Sequence, residues 1–172
     1  MEKDLNIIFN RRSIRKFQNR EVSDELINSL LRAAMSAPSA CNQQPWHFVI
    51  IRDRTILNQL SDIHGGFNNL KNAPLAILVC GEPKAATLEC YWEQDCSAAT
   101  QNILLAATAL GLGAVWQGIN PEGGNDSDTL RRLLKLPEHI TPFSLIAAGH
   151  PAETSEPADR FNTDKIHYSN VW

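Results

Sequence analysis

Several features that would place this chain in a specialised class are missing from its 172 residues. It has four cysteines but no Cys-x-x-Cys pair, so the sequence indicates neither a structural zinc site nor a redox dithiol. Its five histidines share no ligand spacing, which argues against a metal site. The net charge is only −3, so the molecule as a whole has no electrostatic preference for nucleic acid or acidic membranes.

Signals for export or membrane insertion are also missing. No apolar segment of the secretory type follows the first residues, and the cysteines are best interpreted as reduced thiols, so we expect a cytoplasmic protein. Residues 97–116 carry no charge and nearly reach the length that spans a bilayer. Polar side chains are scattered through this stretch and glycines interrupt its end. It therefore predicts a helix buried on most sides, in the core or at a subunit interface.

The composition that is present, 43% hydrophobic and 20% charged, is ordinary for a globular protein, and hydrophobic spacing predicts five helices. Ser23 begins a clear amphipathic helix with Asp24 and Glu25 in its first turn, and Pro38 stops it. The other predicted helices are a short one capped by Asp4, one over residues 54–63, a long one over residues 88–110, and one capped by Ser127 and closed by Pro137.

Four segments predict strands. Residues 46–52 are aromatic and β-branched, and residues 74–80 form a continuous apolar run that fits a strand covered on both faces. Residues 113–118, which lead into a turn at 118–121, and residues 143–149 supply the others, while Gly65 and Gly66 begin a loop. We expect a single domain over residues 1–172. Within it, residues 150–172 form an extended tail whose terminal apolar side chains pack on something.

Two short segments carry most of the chemical information. Residues 11–17 combine cations with a hydroxyl, which suits a phosphate, and residues 36–46 form a polar loop rich in donors and acceptors. Together they suggest a site for a phosphorylated, flat, heteroaromatic cofactor. Taken alone, each has a plainer interpretation: the arginines favour the negative end of the first helix, and the loop is an ordinary helix stop and turn. Trp46 and Trp116 are commoner as core aromatics, and we leave Trp46 in the core.

Five segments in series resemble the FMN-dependent nitroreductases: residues 11–17, 36–46, 136–142, 149–153 and 160–168. The resemblance implies an α+β fold in which a central mixed or antiparallel sheet is flanked by helices. It also implies an obligate homodimer with the long helix at the interface and the tail extending across the partner. The family binds FMN tightly but non-covalently at that interface and uses NAD(P)H as co-substrate.

The resemblance also assigns cofactor-binding residues, several of them from opposite subunits. Arg15 is our candidate for the cation beside the N1–C2=O edge of the flavin, and a backbone N–H of Gly118 or Ile119 is our candidate donor to its N5. The flavin carries the chemistry, so no catalytic side chain is assigned. The full set comprises Arg11, Arg12, Ser13 and Arg15; the loop residues Pro38, Ser39, Ala40, Asn42 and Gln44; the segment Trp116, Gln117, Gly118 and Ile119; and Arg160 of the tail.

The implied function is an oxidoreductase in which NAD(P)H reduces FMN, and the FMN then reduces a nitroaromatic, a quinone or a similar small acceptor in a second half-reaction. Two alternatives stay open: an FMN-binding protein with little NAD(P)H turnover or a dedicated redox partner, and a non-redox module for another phosphorylated ligand. No Gly-x-Gly-x-x-Gly fingerprint is present to distinguish NADH from NADPH. Cys41 is interpreted as a small filler in its loop, and no role is assigned to residues 65–71.

Overall fold

The computed structural model describes residues 5–120 and 124–172, with five helices and four strands among them. The helices are α1 (Asn6–Asn10), α2 (Asp24–Met35), α3 (Arg54–Ser61), α4 (Trp92–Ala109) and α5 (Asn125–Leu134). The strands are β1 (Trp46–Ile51), β2 (Leu75–Gly81), β3 (Gly113–Gly118) and β4 (Thr141–Gly149). Short 3₁₀ helices occur at Ala40–Asn42, Gly65–Lys71, Pro83–Ala85, Glu89–Tyr91 and Thr163–Lys165.

The strands form one sheet in the order β1-β2-β4-β3, and every neighbouring pair is antiparallel. The α+β class is confirmed. The one parallel pairing among the described residues is an isolated bridge between Ser13 and Ala114. Every residue of β2 is buried, as its continuous apolar run predicted. Because β3 lies at an edge, the backbone N–H and C=O groups on one of its sides have no partner strand in the sheet and can bind other groups.

Helices cover both faces of this sheet. Because successive residues of a strand point to opposite faces, alternate residues of β2 pack against different helices. Ile77 and Val79 of β2 pack with residues of α2 and α4, whereas Ala76 and Leu78 pack with residues of α3, α5 and the 3₁₀ helix Gly65–Lys71. The packing on the side of Ala76 and Leu78 matters for the site, because it includes Val115 of β3 and so places that 3₁₀ helix beside β3. No helix of the described ranges 5–120 and 124–172 is long and apolar enough to cross a membrane.

The structure confirms some helix boundaries and changes others. Ser23 caps α2 as predicted, its Oγ accepting from Leu26 N at 3.4 Å. The prediction that Ser127 caps α5 was wrong, because Gly124 takes the N-cap position with a φ of +123°, a conformation that favours glycine. The predicted Asp4 cap and the Pro121 end of the turn lie outside the described residues.

Two further segments differ from prediction. The long helix begins at Trp92, after a separate 3₁₀ turn, Glu89–Tyr91, so its predicted start near residue 88 was too early. The loop expected at Gly65 is the 3₁₀ helix Gly65–Lys71, which His64 caps by accepting a hydrogen bond from Gly66 N at Nδ1. A cap formed by a ring nitrogen is not among the usual signals of a helix start, which explains why the sequence pattern missed it.

The C-terminal residues have little regular secondary structure, apart from the short 3₁₀ helix Thr163–Lys165 and a turn at residues 168–169. Four of the apolar side chains in this tail stay exposed: Phe161 is 76% accessible, Tyr168 83%, Val171 70% and Trp172 100%. The described chain leaves all four largely accessible, although the Trp172 ring contacts that of His167, so the expectation that they pack on another surface stays a prediction.

Candidate functional site

The basic stretch around residues 11–17 is held in place by its backbone. Ile14 N donates to Ala114 O of β3 at 3.1 Å, and Gln18 N donates to His150 O at 2.8 Å. Glu153 Oε1 accepts from Arg15 N at 2.6 Å and from Lys16 N at 3.1 Å. These contacts leave the guanidinium groups of the stretch available for other partners.

Three cations gather at this stretch. Burial, followed by the charges of Arg160 and Arg12, lowers the pKa of Arg11. The ion pairs found among the described residues involve none of these three arginines. Arg12 also buries its Nε without a hydrogen-bond partner. Because guanidinium groups repel one another, a cluster without a carboxylate is suited to a multiply charged anion.

The free edge of β3 adds backbone groups to the site. Ile119 N donates to Phe143 O of the neighbouring chain segment at 3.2 Å. Since partners alternate along an antiparallel strand, the backbone groups of Gly118 and Trp116 point away from β4. The hydrogen bond from Ile14 to Ala114 on that same side agrees with this alternation. Of the two N–H groups predicted to face a cofactor, only that of Gly118 is therefore open.

A pocket of about 240 Å³ lies at this edge. It brings together four of the predicted residues, Arg15, Trp116, Gln117 and Gly118, with four that were not predicted: His64, Gly66, Phe67 and Val115. The indole of Trp116 packs toward Phe143, with ring centroids 6.0 Å apart, so its main contribution to the pocket is its backbone. Trp46, left in the core by the sequence analysis, is buried.

Gln117 connects the two sides of this pocket, which are β3 and the 3₁₀ helix Gly65–Lys71. Its side-chain amide is buried, and Nε2 donates to Gly66 O at 2.5 Å and to Asn69 Oδ1 at 2.7 Å. Its Oε1 has no partner. Among the described residues, Gln117 Oε1 and Arg12 Nε are the two buried side-chain polar atoms without a hydrogen bond. Buried polar atoms are normally satisfied, so these two are positions where a ligand or an ordered water can bind.

The 3₁₀ helix Gly65–Lys71 forms one wall of the pocket and is fixed from below. The Arg54 guanidinium donates to the carbonyls of Leu70 and Lys71, both at 2.8 Å, and to that of Ala73. At the start of this 3₁₀ helix, the rings of His64 and Phe67 are in edge-on contact, with centroids 5.6 Å apart. Sequence reasoning missed this wall because its contacts are tertiary, and only the glycine pair at its start marked the segment as unusual.

The second predicted segment, residues 38–44, has a different construction. Three of its non-glycine residues have left-handed backbones: Cys41 at φ 49°, Asn42 at 54° and Gln44 at 47°. Ser39 Oγ accepts from Gln44 N at 3.0 Å across this turn, and the side chains of Asn42 and Gln44 are exposed.

Within the described chain, no hydrogen bond or ion pair connects this loop to the basic stretch or to β3. The structure therefore brings one group of predicted residues together: Arg11, Arg12, Ser13, Arg15, Trp116, Gln117, Gly118, Ile119 and Arg160. None of the hydrogen bonds described joins these residues to a second predicted group: Pro38, Ser39, Ala40, Asn42 and Gln44.

Comparison with known proteins identifies the family. Its model, described as the nitroreductase family, matches residues 8–93 and 64–150. A candidate NADH dehydrogenase/NAD(P)H nitroreductase from Methanothermobacter thermautotrophicus is 48% identical over 95% of this chain and 85% of its own. A crystal structure of a similarly named protein from Parabacteroides distasonis matches all of both chains at 39% identity, with a TM-score of 0.94.

A crystal structure of a candidate nitroreductase from Desulfovibrio desulfuricans in complex with FMN matches 96% of each chain at 34% identity, with a TM-score of 0.83. These matches confirm the resemblance stated from the sequence and the oxidoreductase class that it implies. This chain belongs to the nitroreductase family.

Proposed function

We propose that this protein is an FMN-dependent oxidoreductase that works as a homodimer, taking electrons from NAD(P)H and passing them to a small acceptor such as a nitroaromatic or a quinone. When bound, FMN supplies the redox chemistry, accepting hydride from the nicotinamide and releasing electrons to the acceptor. The observation that carries the proposal is the cluster of Arg11, Arg12 and Arg160, which has no carboxylate partner among the described residues and lies beside the open edge of β3.

The arginine cluster would hold the phosphate of FMN. Guanidinium groups bind phosphate oxygens through two parallel hydrogen bonds, and Arg12 Nε is a buried donor still in need of an acceptor. The hydroxyl of Ser13, the residue that bridges to Ala114 of β3, is a further donor within the same stretch. Burial, followed by the charges of Arg160 and Arg12, lowers the pKa of Arg11, and the phosphate charge would offset the part that comes from repulsion.

The pocket beside β3 would receive the ring system. Arg15 would place a positive charge there, which stabilises the negative charge that a reduced flavin carries. Gly118 N–H is available as a donor, and Gln117 Oε1 is available as an acceptor. No side chain is assigned a proton-transfer role, since solvent can protonate the products.

A second copy of the chain would complete the site and cover exposed apolar surface. Helix α1 buries none of its residues, and Ile8 and Phe9 are more than half exposed. A groove of about 420 Å³ runs beside it, lined by residues of α1, α2 and α4. With the exposed side chains of the tail, these residues offer apolar surface that a second copy of the chain would cover. In the dimer, the loop of residues 38–44 would contact the FMN held mainly by the partner.

The direct test is a visible spectrum of the purified protein before and after NADH or NADPH is added without oxygen. The proposal expects a yellow protein that binds FMN in equilibrium dialysis and bleaches within about one turnover. A protein that holds FMN but stays yellow with both reductants would support the alternative of a flavoprotein with little NAD(P)H turnover. A colourless protein that leaves added FMN free would overturn the proposal.

Mixed dimers test the sharing of the site. One parent would carry Arg11→Ala in the basic stretch, and the other would carry Asn42→Ala with Gln44→Ala in the loop. A dimer of the two variants has one site with both defects and one site with neither. We therefore expect co-refolded mixed dimers to regain one tight FMN site per dimer, measured by flavin fluorescence. Mixed dimers that bind no better than their parents would show that each site comes from a single chain.

A further inference from the structure

Asp95 is a buried carboxylate that the sequence analysis did not single out. It lies in the first turn of α4 and is 4% exposed. None of the ion pairs among the described residues includes it. Both of its oxygens accept hydrogen bonds from the loop: Oδ1 from Ala40 N at 2.9 Å and Oδ2 from Gln43 Nε2 at 2.6 Å. Both oxygens of this buried carboxylate therefore bind the loop and stabilise its conformation.

Gln43 extends the connection to the segment before α4. Its Oε1 accepts from Leu88 N at 2.8 Å, and its Nε2 also donates to Leu88 O at 3.2 Å. The orientation of the Gln43 amide is thus set at two places, with its donor toward Asp95 and its acceptor toward Leu88 N. Reversing the amide would lose the bonds at both places.

The residues held in this way include the strained part of the loop. Cys41, Asn42 and Gln44 all have positive φ values, which non-glycine residues rarely adopt. Such a conformation persists only where surrounding contacts hold it, and clusters of this kind are typical of ligand-binding turns. Asp95 and Gln43 supply those contacts on either side of Cys41 and Asn42.

We propose that Asp95, acting through Gln43, is a positioning residue that holds residues 39–44 in the conformation needed to contact FMN in the partner's site. The inference rests on the proposed function. Asp95 does not line the pocket beside β3 and is not assigned any contact with the cofactor. Its effect on FMN binding would be indirect, through the exposed side chains that the loop presents.

The test reverses the polarity of this pair. In Asp95→Asn, an amide NH₂ replaces the carboxylate oxygen that accepts from Gln43 Nε2, so that two donors face each other. In Gln43→Glu, two carboxylates face each other instead. The double variant restores one amide facing one carboxylate, with an oxygen still available to Leu88 N. We expect each single variant to weaken FMN binding at least about tenfold, as loss of a hydrogen bond to a charged group does, and the double variant to recover most of it. Flavin fluorescence titration gives the dissociation constants.

Matched controls and a second readout separate positioning from stability. Glu93→Gln and Gln94→Glu change exposed residues in the same turn of α4 and should leave FMN binding unchanged. Hydrogen exchange of the apoprotein should rise at residues 39–44 in the single variants and return in the double variant. If a single variant does not fold, Gln43→Met removes the same amide without adding a charge.

The outcomes distinguish the two proposals. Variants that melt at a lower temperature but bind FMN like the wild type would overturn the positioning role and leave the proposed function intact. Equal exchange in the loop of all variants would overturn it as well. A wild-type protein that binds no FMN would overturn the proposed function, and this inference with it.

Discussion

The basic stretch of residues 11–17 and the loop of residues 38–44 prepare for a ligand in opposite ways. The stretch is attached through its backbone, to Ala114 of β3 and to the Glu153 carboxylate, and its guanidinium groups have no ion-pair partner among the described residues. The loop is attached through the side chain of Gln43 and a backbone N–H, both bound to Asp95, and its own backbone carries the strain.

This difference separates binding from folding. Substitutions at the arginines remove charges that contribute little to the fold of the chain alone, and they should change the affinity for an anion while leaving stability nearly intact. Substitutions that disturb the loop should affect both properties, because its contacts hold a conformation that the chain would not otherwise keep.

The largest effect is expected from the arginine cluster. Arg11→Ala and Arg160→Ala should each weaken FMN binding by about 10- to 150-fold, because each removes hydrogen bonds to a charged group that contribute about 1.5–3 kcal/mol. The apoprotein should melt at the same temperature or slightly higher, since a repulsion between cations is relieved. Equilibrium dialysis and thermal unfolding measure the two effects.

Arg20→Ala is the control, because Arg20 is exposed and lies near neither Arg11 nor β3 in the contacts described. It should change neither quantity. If Arg11→Ala reduced stability and FMN affinity together, the arginines would be part of the fold, and the contrast with the loop would disappear.

Local patterns predicted much of the fold, and for identifiable reasons. The β2 run and the Ser23 cap depend on neighbours in sequence, so they were visible without a structure. The Ser127 cap was wrong because a glycine at positive φ started α5 three residues earlier than the hydroxyl suggested. Boundaries set by an unusual backbone conformation are harder to recognise than those set by a capping side chain.

The site was predicted unevenly for the same reason. Arg11 and Gly118 were named because whole segments resembled a family. Asp95 and Arg54 were missed because each acts on residues more than a dozen positions away, as the bonds from Asp95 to the loop and from Arg54 to Leu70 show. Sequence patterns indicate which groups can bind a ligand, whereas the groups that hold them in place depend on tertiary contacts.

Gly113 and Gly118 of β3 differ in the space around them, and we expect substitutions there to have effects of intermediate size. A Cβ added at Gly118 would meet no atom within 4 Å, whereas one added at Gly113 would lie 2.6 Å from Ile14 Cγ2. Gly113→Ala should therefore destabilise the protein by about 1–3 kcal/mol, as overpacking does, and should displace the basic stretch. Gly118→Ala should leave unfolding unchanged but weaken FMN binding several-fold. Urea denaturation and fluorescence titration give both values.

The pair serves as its own control, because the same atom group is added to the same strand. Unchanged FMN binding in Gly118→Ala would mean that the ring does not lie against this part of β3. A destabilised Gly118→Ala would mean that its open side is part of the packed structure.

The smallest effect is expected at Glu153. Its carboxylate accepts from the backbone of the basic stretch, as the carboxylate of Asp95 accepts from the backbone of the loop. The hydrogen bond from Arg15 N, followed by that from Lys16 N and the charges of both residues, holds the pKa of the Glu153 carboxyl below its ordinary value. A carboxyl with a lowered pKa stabilises the folded state above its ordinary pKa, and that contribution is lost as the pH falls through the lowered one.

Glu153→Gln should therefore cost at most about 1 kcal/mol near neutral pH, since the carboxylate is accessible to solvent, and the difference from wild type should vanish in acid. Unfolding measured from about pH 7 down to about pH 3.5 shows whether the two curves converge. Parallel curves would mean that the charge of Glu153 does not contribute. A large loss of FMN affinity at neutral pH would show instead that this one side chain positions Arg15, so that the basic stretch depends on a clamp as much as the loop does.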